Sequence, residues 1–340
     1  MSFSLSLCAL SGSVDGLFAS PSSLNDEIPD RILDLHWKQW TTFGVSSHYD
    51  QSSEYILDLE ALVVSTLTIG LRDKRMLGVA LEWTQVNRSW LNLNRVKRIG
   101  KYFTSCEILQ KRPLLSSYVM ESLINFLKNA RTSLAEGGDG INDTGYPQHD
   151  YIELFQNYMG RGVVVEPDIK SPCLLQLCVR NFFGVDARAE MFLYFLAGRR
   201  GNSNSISGEI FLEQKNLYRI LNNWANAGII EEDLEVSSPD YGLKNREQWI
   251  QTFQINEIPA YVNWPRIYQF LDLITVHLTD PAVQDDTYLA SSFFRDIQPE
   301  ARYVASVTKI DLPSPKSFPG KEYYEPFAGS VLQIAEKLMQ

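Results

Sequence analysis

Residues 214–226 read QKNLYRILNNWAN, and the side chains there that could do chemistry share one side of a helical wheel. At about 100° per residue, Leu217, Ile220, Leu221, Trp224 and Gly228 gather within one third of the circumference. Lys215, Arg219, Asn222 and Asn226 point the other way, with no carboxylate among them. Gln214 opens the helix, and Asn216 and Tyr218 flank the polar face. Arginine and lysine donate to phosphate oxygens or to guanine, and asparagine and glutamine pair with adenine. The face therefore carries donors suited to a nucleic-acid backbone and to base edges in a major groove.

A second set of donors is the densest positive cluster in the chain: Arg88, Arg95, Lys97, Arg98 and Lys101. Asn92 is a natural cap for a helix over Leu93–Phe103, whose outward side would collect the last four. Runs of this kind are usually solvated helix faces. On a nucleic-acid binder they would supply auxiliary phosphate contacts, and they could equally dock an acidic partner.

The elements that must position the polar face lie around it. Ala189–Leu196 reads as a first helix, and Ile206 and Ile210 as the inward pair of a short second one. A turn leads to the third helix, which Ala227-Gly228 ends. Ile229–Val236 then reads as a strand, Ser237–Asn245 as a turn-rich tip, and Arg246–Ile255 as a second strand with Trp249 and Phe253 at alternate positions. Lys244 and Arg246 fall at or just after that tip. This order resembles the winged helix-turn-helix domains of bacterial MarR- and ArsR-type regulators over about residues 186–255. The resemblance implies a DNA-binding transcriptional regulator with Gln214–Asn222 in the major groove. Lys244 and Arg246 would then hold the wing to the backbone. It also implies a homodimer, because one short helix reads too few bases and paired half-sites solve that.

Three residue choices depart from the pattern. Phe211 occupies the turn where the family usually has glycine, and Glu213 stands where it has a small hydroxyl residue. The wing's first strand carries Glu231, Glu232, Asp233 and Glu235. Residues 186–228 hold five Lys/Arg against four Asp/Glu, so few phosphates can be neutralised by one copy. Glu213 and the acidic strand favour the alternative of a winged-helix interaction module, and flanking regions much larger than this unit also suit an antitoxin-like subunit that works through a protein partner.

Around this unit the pattern is mainly α. Helices are expected over Ile28–Phe43, Leu57–Leu71, Asp73–Asn87, Leu114–Leu127, Pro172–Phe183, Trp264–His277, Tyr288–Arg295 and Glu325–Met339. Arg161–Asp168 suggests a short strand, and the prolines of Ile310–Pro326 forbid long regular structure. The expected organisation is a helical N-terminal domain (1–134), a loop-rich linker (135–170), the winged helix (171–256) and a helical C-terminal region (257–340).

Composition narrows the function classes. The 340 residues are 44% hydrophobic and 21% charged with a net charge of −10, ordinary for a folded protein and unlike an all-over basic clamp. Cys8, Cys106, Cys173 and Cys178 show no repeated CxxC spacing and no neighbouring histidine, so buried thiols are expected and no metal or other cofactor. Met1–Phe18 lacks the basic start of a signal peptide, and no apolar run is long enough for a membrane span, which gives a cytoplasmic expectation. Gly12-Ser13 with Asp26-Glu27 superficially matches a nucleotidyltransferase pattern, but adjacent acids on a strand would point apart. Gly137-Gly138-Asp139-Gly140 has no strand before it and no Lys-Ser/Thr after it, and no GxSxG elbow is present. No enzymatic activity is expected.

Overall fold

The computed structural model describes residues 21–70, 72–106, 117–129, 162–233, 239–281, 283 and 286–340. Over these residues the chain is mainly helical, with one two-stranded sheet. Met1–Phe18 and the Gly/Asp/Asn-rich segment 135–150 lie outside the described residues.

Helix α2 (Leu59–Ile69) is apolar on nearly every side, and such a helix has to be enclosed. Every residue in it is buried. Asp58 starts it by accepting from the backbone N–H of Ala61. Around α2 stand α1 (Pro21–Thr42), α3 (Lys74–Val86) and α4 (Leu93–Thr104), and α5 (Ser117–Asn129) packs on α4. From the far end of the chain come α11 (Trp264–Leu278), which packs on both α1 and α2, and α14 (Tyr324–Leu338), which packs on α1. Ile32, Leu62 and Val96 thus share one core with Ile267, Phe294 and Val331. The flanks, separate regions in the sequence reading, form a single helical body.

Between them are α6 (Leu175–Phe183), α7 (Ala187–Leu196), α8 (Ser203–Ile210), α9 (Gln214–Asn226), a hairpin and α10 (Arg246–Thr252). Their own core centres on α7, with Phe192, Phe195, Ile206, Leu217, Leu221 and Trp224. Leu174 and Leu177 face the first core while Leu175 and Val179 face the second, so the α6 region is shared between the two.

The hairpin pairs β1 (Ile230–Asp233) with β2 (Asp240–Leu243), antiparallel, with Ile230 opposite Leu243 and Asp233 opposite Asp240. Arg246–Ile255, expected as the wing's second strand, contains α10 instead. The spacing explains the difference. Residues four apart share a side in a strand and nearly share one in a helix, and Trp249 and Phe253 both rest on Phe192, at 5.2 and 5.7 Å between ring centroids. Of the expected strand Arg161–Asp168, the described residues 162–168 contribute one bridge, Val45 to Val164, rather than a strand. Helices α12 (Thr287–Asp296) and α13 (Gln298–Thr308) complete the body. The second of these had no counterpart in the sequence reading.

Candidate nucleic-acid interface

Helix α8 begins with a capping box. The Asn202 side chain accepts from the N–H groups of Asn204 and Ser205, and Ser205 Oγ accepts from Asn202 N at 3.0 Å. It ends at Phe211, in the left-handed conformation with φ of 57°, a region side chains other than glycine seldom enter. The Phe211 ring meets Tyr102 of α4 edge-on at 5.1 Å, which compensates the strained turn and docks it on the body.

From that turn α9 leaves with Leu217, Leu221 and Trp224 buried beneath it. Lys215, Tyr218, Arg219 and Asn226 are exposed, and Asn216 and Asn222 half-buried. Gln214 Nε2 donates to Ser203 Oγ at 2.8 Å, and an Arg219 Nη2 donates to Asn216 Oδ1 at 3.1 Å. Neither Lys215 nor Arg219 forms an ion pair among the described residues. The polar face is open to solvent. Glu213 is exposed at its start and makes no cap hydrogen bond.

Beside it stands the hairpin. Burial first, and Glu232 next, push the Tyr241 hydroxyl pKa up, with Tyr218 contributing as well; the wing's acids are therefore electrostatic neighbours of the α9 face. Two of those acids are partly answered by Arg200, whose Nε donates to Asp240 Oδ2 at 2.9 Å and whose Nη1 lies 3.7 Å from Glu231.

The expected wing contacts are displaced. Lys244 and Arg246 follow β2, at the base of the hairpin rather than at its tip. Lys244 is exposed, but Arg246 Nε donates to Leu196 O at 2.7 Å and its Nη1 to Glu247 at 3.1 Å. Arg246 therefore closes the end of α7 and has little left for a ligand.

The auxiliary cluster divides in the same way. Lys97, Arg98 and Lys101 are exposed on α4. Arg88 is turned inward, donating to Leu127 O at 2.6 Å and Leu91 O at 3.3 Å. Arg95 is buried and forms no part of the surface. Its guanidinium pairs with Asp58, donates to Glu60 Oε2 at 2.8 Å, and donates from Nε to Ile210 O, the last carbonyl of α8, at 2.8 Å.

Arg95 belongs to a network that sequence reasoning missed. Glu60 is reached by Arg95, by both terminal nitrogens of Arg180 and by the N–H of Asn92. Arg180 also donates to Glu190 Oε1, from Nε at 2.7 Å and from Nη2 at 2.5 Å, and to Trp90 O at 2.7 Å. Burial alone would raise the Glu60 pKa, but Arg180 and Arg95 outweigh it and hold the carboxylate below its ordinary range. Three acids and two guanidiniums thereby connect α2 and α4 of the body with α6, α7 and the end of α8. The partners lie far apart in sequence, Glu60 and Arg180 by 120 positions, so no local motif could reveal them.

A second buried group joins His36, Ser65 and Asp272. Ser65 Oγ lies 2.8 Å from His36 Nε2 and 3.0 Å from Asp272 Oδ1, and His36 Nδ1 lies 2.8 Å from Ile32 O. The residue types are those of a hydrolytic triad, but the order is not. Serine stands in the middle and the histidine does not touch the acid, whereas a triad needs histidine between them. All three residues are inaccessible to solvent. Burial lowers the His36 pKa to about 4, which leaves the imidazole neutral near pH 7, and burial pushes the Asp272 carboxyl well above its ordinary range. Ile32 O can only accept, so His36 Nδ1 donates to it, and Ser65 Oγ donates to Asp272 Oδ1, which ties α1, α2 and α11 together.

Cys106, Cys173 and Cys178 are free thiols, and among the described residues no group of three or more His, Cys, Asp or Glu could hold a metal ion. No described helix is long and apolar enough to cross a membrane. No family model, curated protein or solved structure matches the chain.

Proposed function

We propose that the chain is a DNA-binding transcriptional regulator whose α9 enters the major groove. The observation that carries this reading is the exposed, carboxylate-free face of α9, presented by a helix–turn–helix with a hairpin at its side. Lys215 and Arg219 are its cationic anchors; Gln214, Asn216 and Asn222 offer amides to base edges, and Tyr218 a hydroxyl to the backbone. Lys97, Arg98 and Lys101 add charge from α4, the helix on which the Phe211 turn is docked. Lys244 is retained as a backbone contact from the hairpin base. The working form is a cytoplasmic homodimer, since a single α9 covers too few base pairs.

The test is fluorescence anisotropy with duplex DNA from the chain's own upstream region at low salt. Lys215→Ala and Arg219→Ala should each weaken binding, by about tenfold or more for a base contact. Binding that neither substitution alters would refute the role of α9.

Glu213 and the acidic β1 support a second reading, a winged-helix module that docks a protein partner. In that case no duplex DNA binds at any salt concentration, and a stoichiometric partner co-purifies whose binding Tyr218→Ala weakens.

A further inference from the structure

A groove of about 880 Å3 runs along α13 and is walled on its other side by residues 310–316. Gln298, Arg302, Ala305, Ser306 and Lys309 line the helical side, spaced as one face of a single helix. Arg302 and Lys309 are two turns apart, about 10 Å of rise, and the whole stripe is about 16 Å long. Ile310, Leu312, Pro313, Pro315 and Lys316 line the opposite wall.

The charge here is the reverse of the molecule's. Arg302, Lys309 and Lys316 face Asp311 as the one acid of the lining, in a chain whose net charge is −10. Among the described residues none of the three cations forms an ion pair, and Arg302 donates to the neutral Gln298 Oε1 at 3.2 Å. Groups left uncompensated along an open channel favour an anionic occupant. Its shape selects among anions. Small-molecule sites enclose most of their ligand, whereas this groove is open along a length that matches about five residues of extended chain at roughly 3.3 Å each. Pro313 and Pro315 have no N–H, so the wall offers an incoming strand few backbone donors, and recognition rests mainly on side chains.

We propose that this groove binds an extended acidic segment of a partner protein. Its carboxylates are held by Arg302, Lys309 and Lys316, and its apolar side chains rest on Ala305, Ile310 and Leu312. The assignment does not depend on α9, because it uses different residues and a different ligand.

The experiment screens the intact chain against a library of heptapeptides carrying two or three Asp or Glu among Leu, Val and Ile, at low ionic strength. The best binders are then labelled for anisotropy. Replacing their acids by Asn and Gln should weaken binding by about tenfold or more, as should the double variant Arg302→Ala, Lys309→Ala. Lys170→Ala, at an exposed position outside the groove, should leave it unchanged. Both groove residues are exposed, and equal melting temperatures of variant and parent will show that the fold is intact. The proposal is overturned if no library member binds, if the amide peptides bind equally well, or if the double variant binds like the parent. It is also overturned if an oligothymidylate of equal charge binds in an Arg302- and Lys309-dependent way and the peptides do not.

Discussion

Arg180 grips Glu60 with two nitrogens, Nη1 2.8 Å from Oε1 and Nη2 2.6 Å from Oε2, and both side chains are fully buried. The geometry is the two-pronged one that guanidinium and carboxylate favour. Here it joins the helical body to α6. Glu60→Ala would leave two buried guanidiniums short of an anion, at a cost of about 3–5 kcal/mol. Urea unfolding at neutral pH measures the loss; a change below about 1 kcal/mol would mean that water enters the network freely.

Arg95 and its neighbours on α4 should separate cleanly in the two assays. Lys97→Ala, Arg98→Ala and Lys101→Ala should leave the melting temperature close to the parent's. If α4 contacts phosphates, each should make the slope of log K against log salt shallower by about 0.9. Arg95→Ala should instead lower stability by about 3–5 kcal/mol, because Asp58 and Glu60 lose a cation. An Arg95→Ala protein with parental stability would contradict its place in the buried network.

The His36–Ser65–Asp272 chain makes a prediction about pH. His36 is neutral in the fold down to about pH 4, while an unfolded imidazole takes a proton near 6.5. The unfolded chain therefore binds the extra proton between those values, and this contribution to stability is lost as pH falls through the window. Asp272 has the opposite sign. Its folded pKa is raised, so its contribution is complete below about pH 4 and is lost as pH rises. The two slopes oppose each other between about pH 4 and 6.5. Asp272→Asn removes only the second, and its stability relative to the parent should climb as pH rises above about 4. Denaturant titrations at several pH values would show it, and a constant difference would disprove the upward shift at Asp272.

The Phe211–Tyr102 contact can be isolated by a double-mutant cycle. Phe211→Leu and Tyr102→Leu should be coupled by about 0.5–1.5 kcal/mol, the usual worth of an edge-on aromatic pair. Additive effects would leave the left-handed turn at Phe211 without its compensation.

Much of the helical pattern could be read from local spacing, and the misses have physical causes. The caps Asp73 and Asn92 marked where α3 and α4 begin, since short polar side chains satisfy the first free N–H groups of a helix. Trp249 and Phe253 were misread because a spacing of four fits both periodicities. Helix α13 escaped notice because its buried side is made of small residues, Ala301, Val304, Ala305 and Thr308, which give a weak apolar stripe. On α4, Arg95 sits four residues before Ile99 and eight before Phe103, both buried, so its wheel position pointed inward while its charge suggested the surface. The polar face of α9 was legible from one helix alone. The ion network, the proton chain and the α13 groove were not, because each is assembled from distant segments.

The shared core of the body has a consequence for synthesis on the ribosome. Helix α2 is covered partly by α11, and α1 by α11 and α14, so the apolar faces of these two helices lack part of their final cover until the far end of the chain emerges. About 200 residues separate α5 from α14, and at 5–20 residues per second that interval lasts roughly 10–40 seconds. The segment from α7 to α10, with a core mostly of its own, can fold within that wait. The packing favours an order in which the middle of the chain folds first and the two flanks close together last, with a partly covered α2 as the state a chaperone would meet.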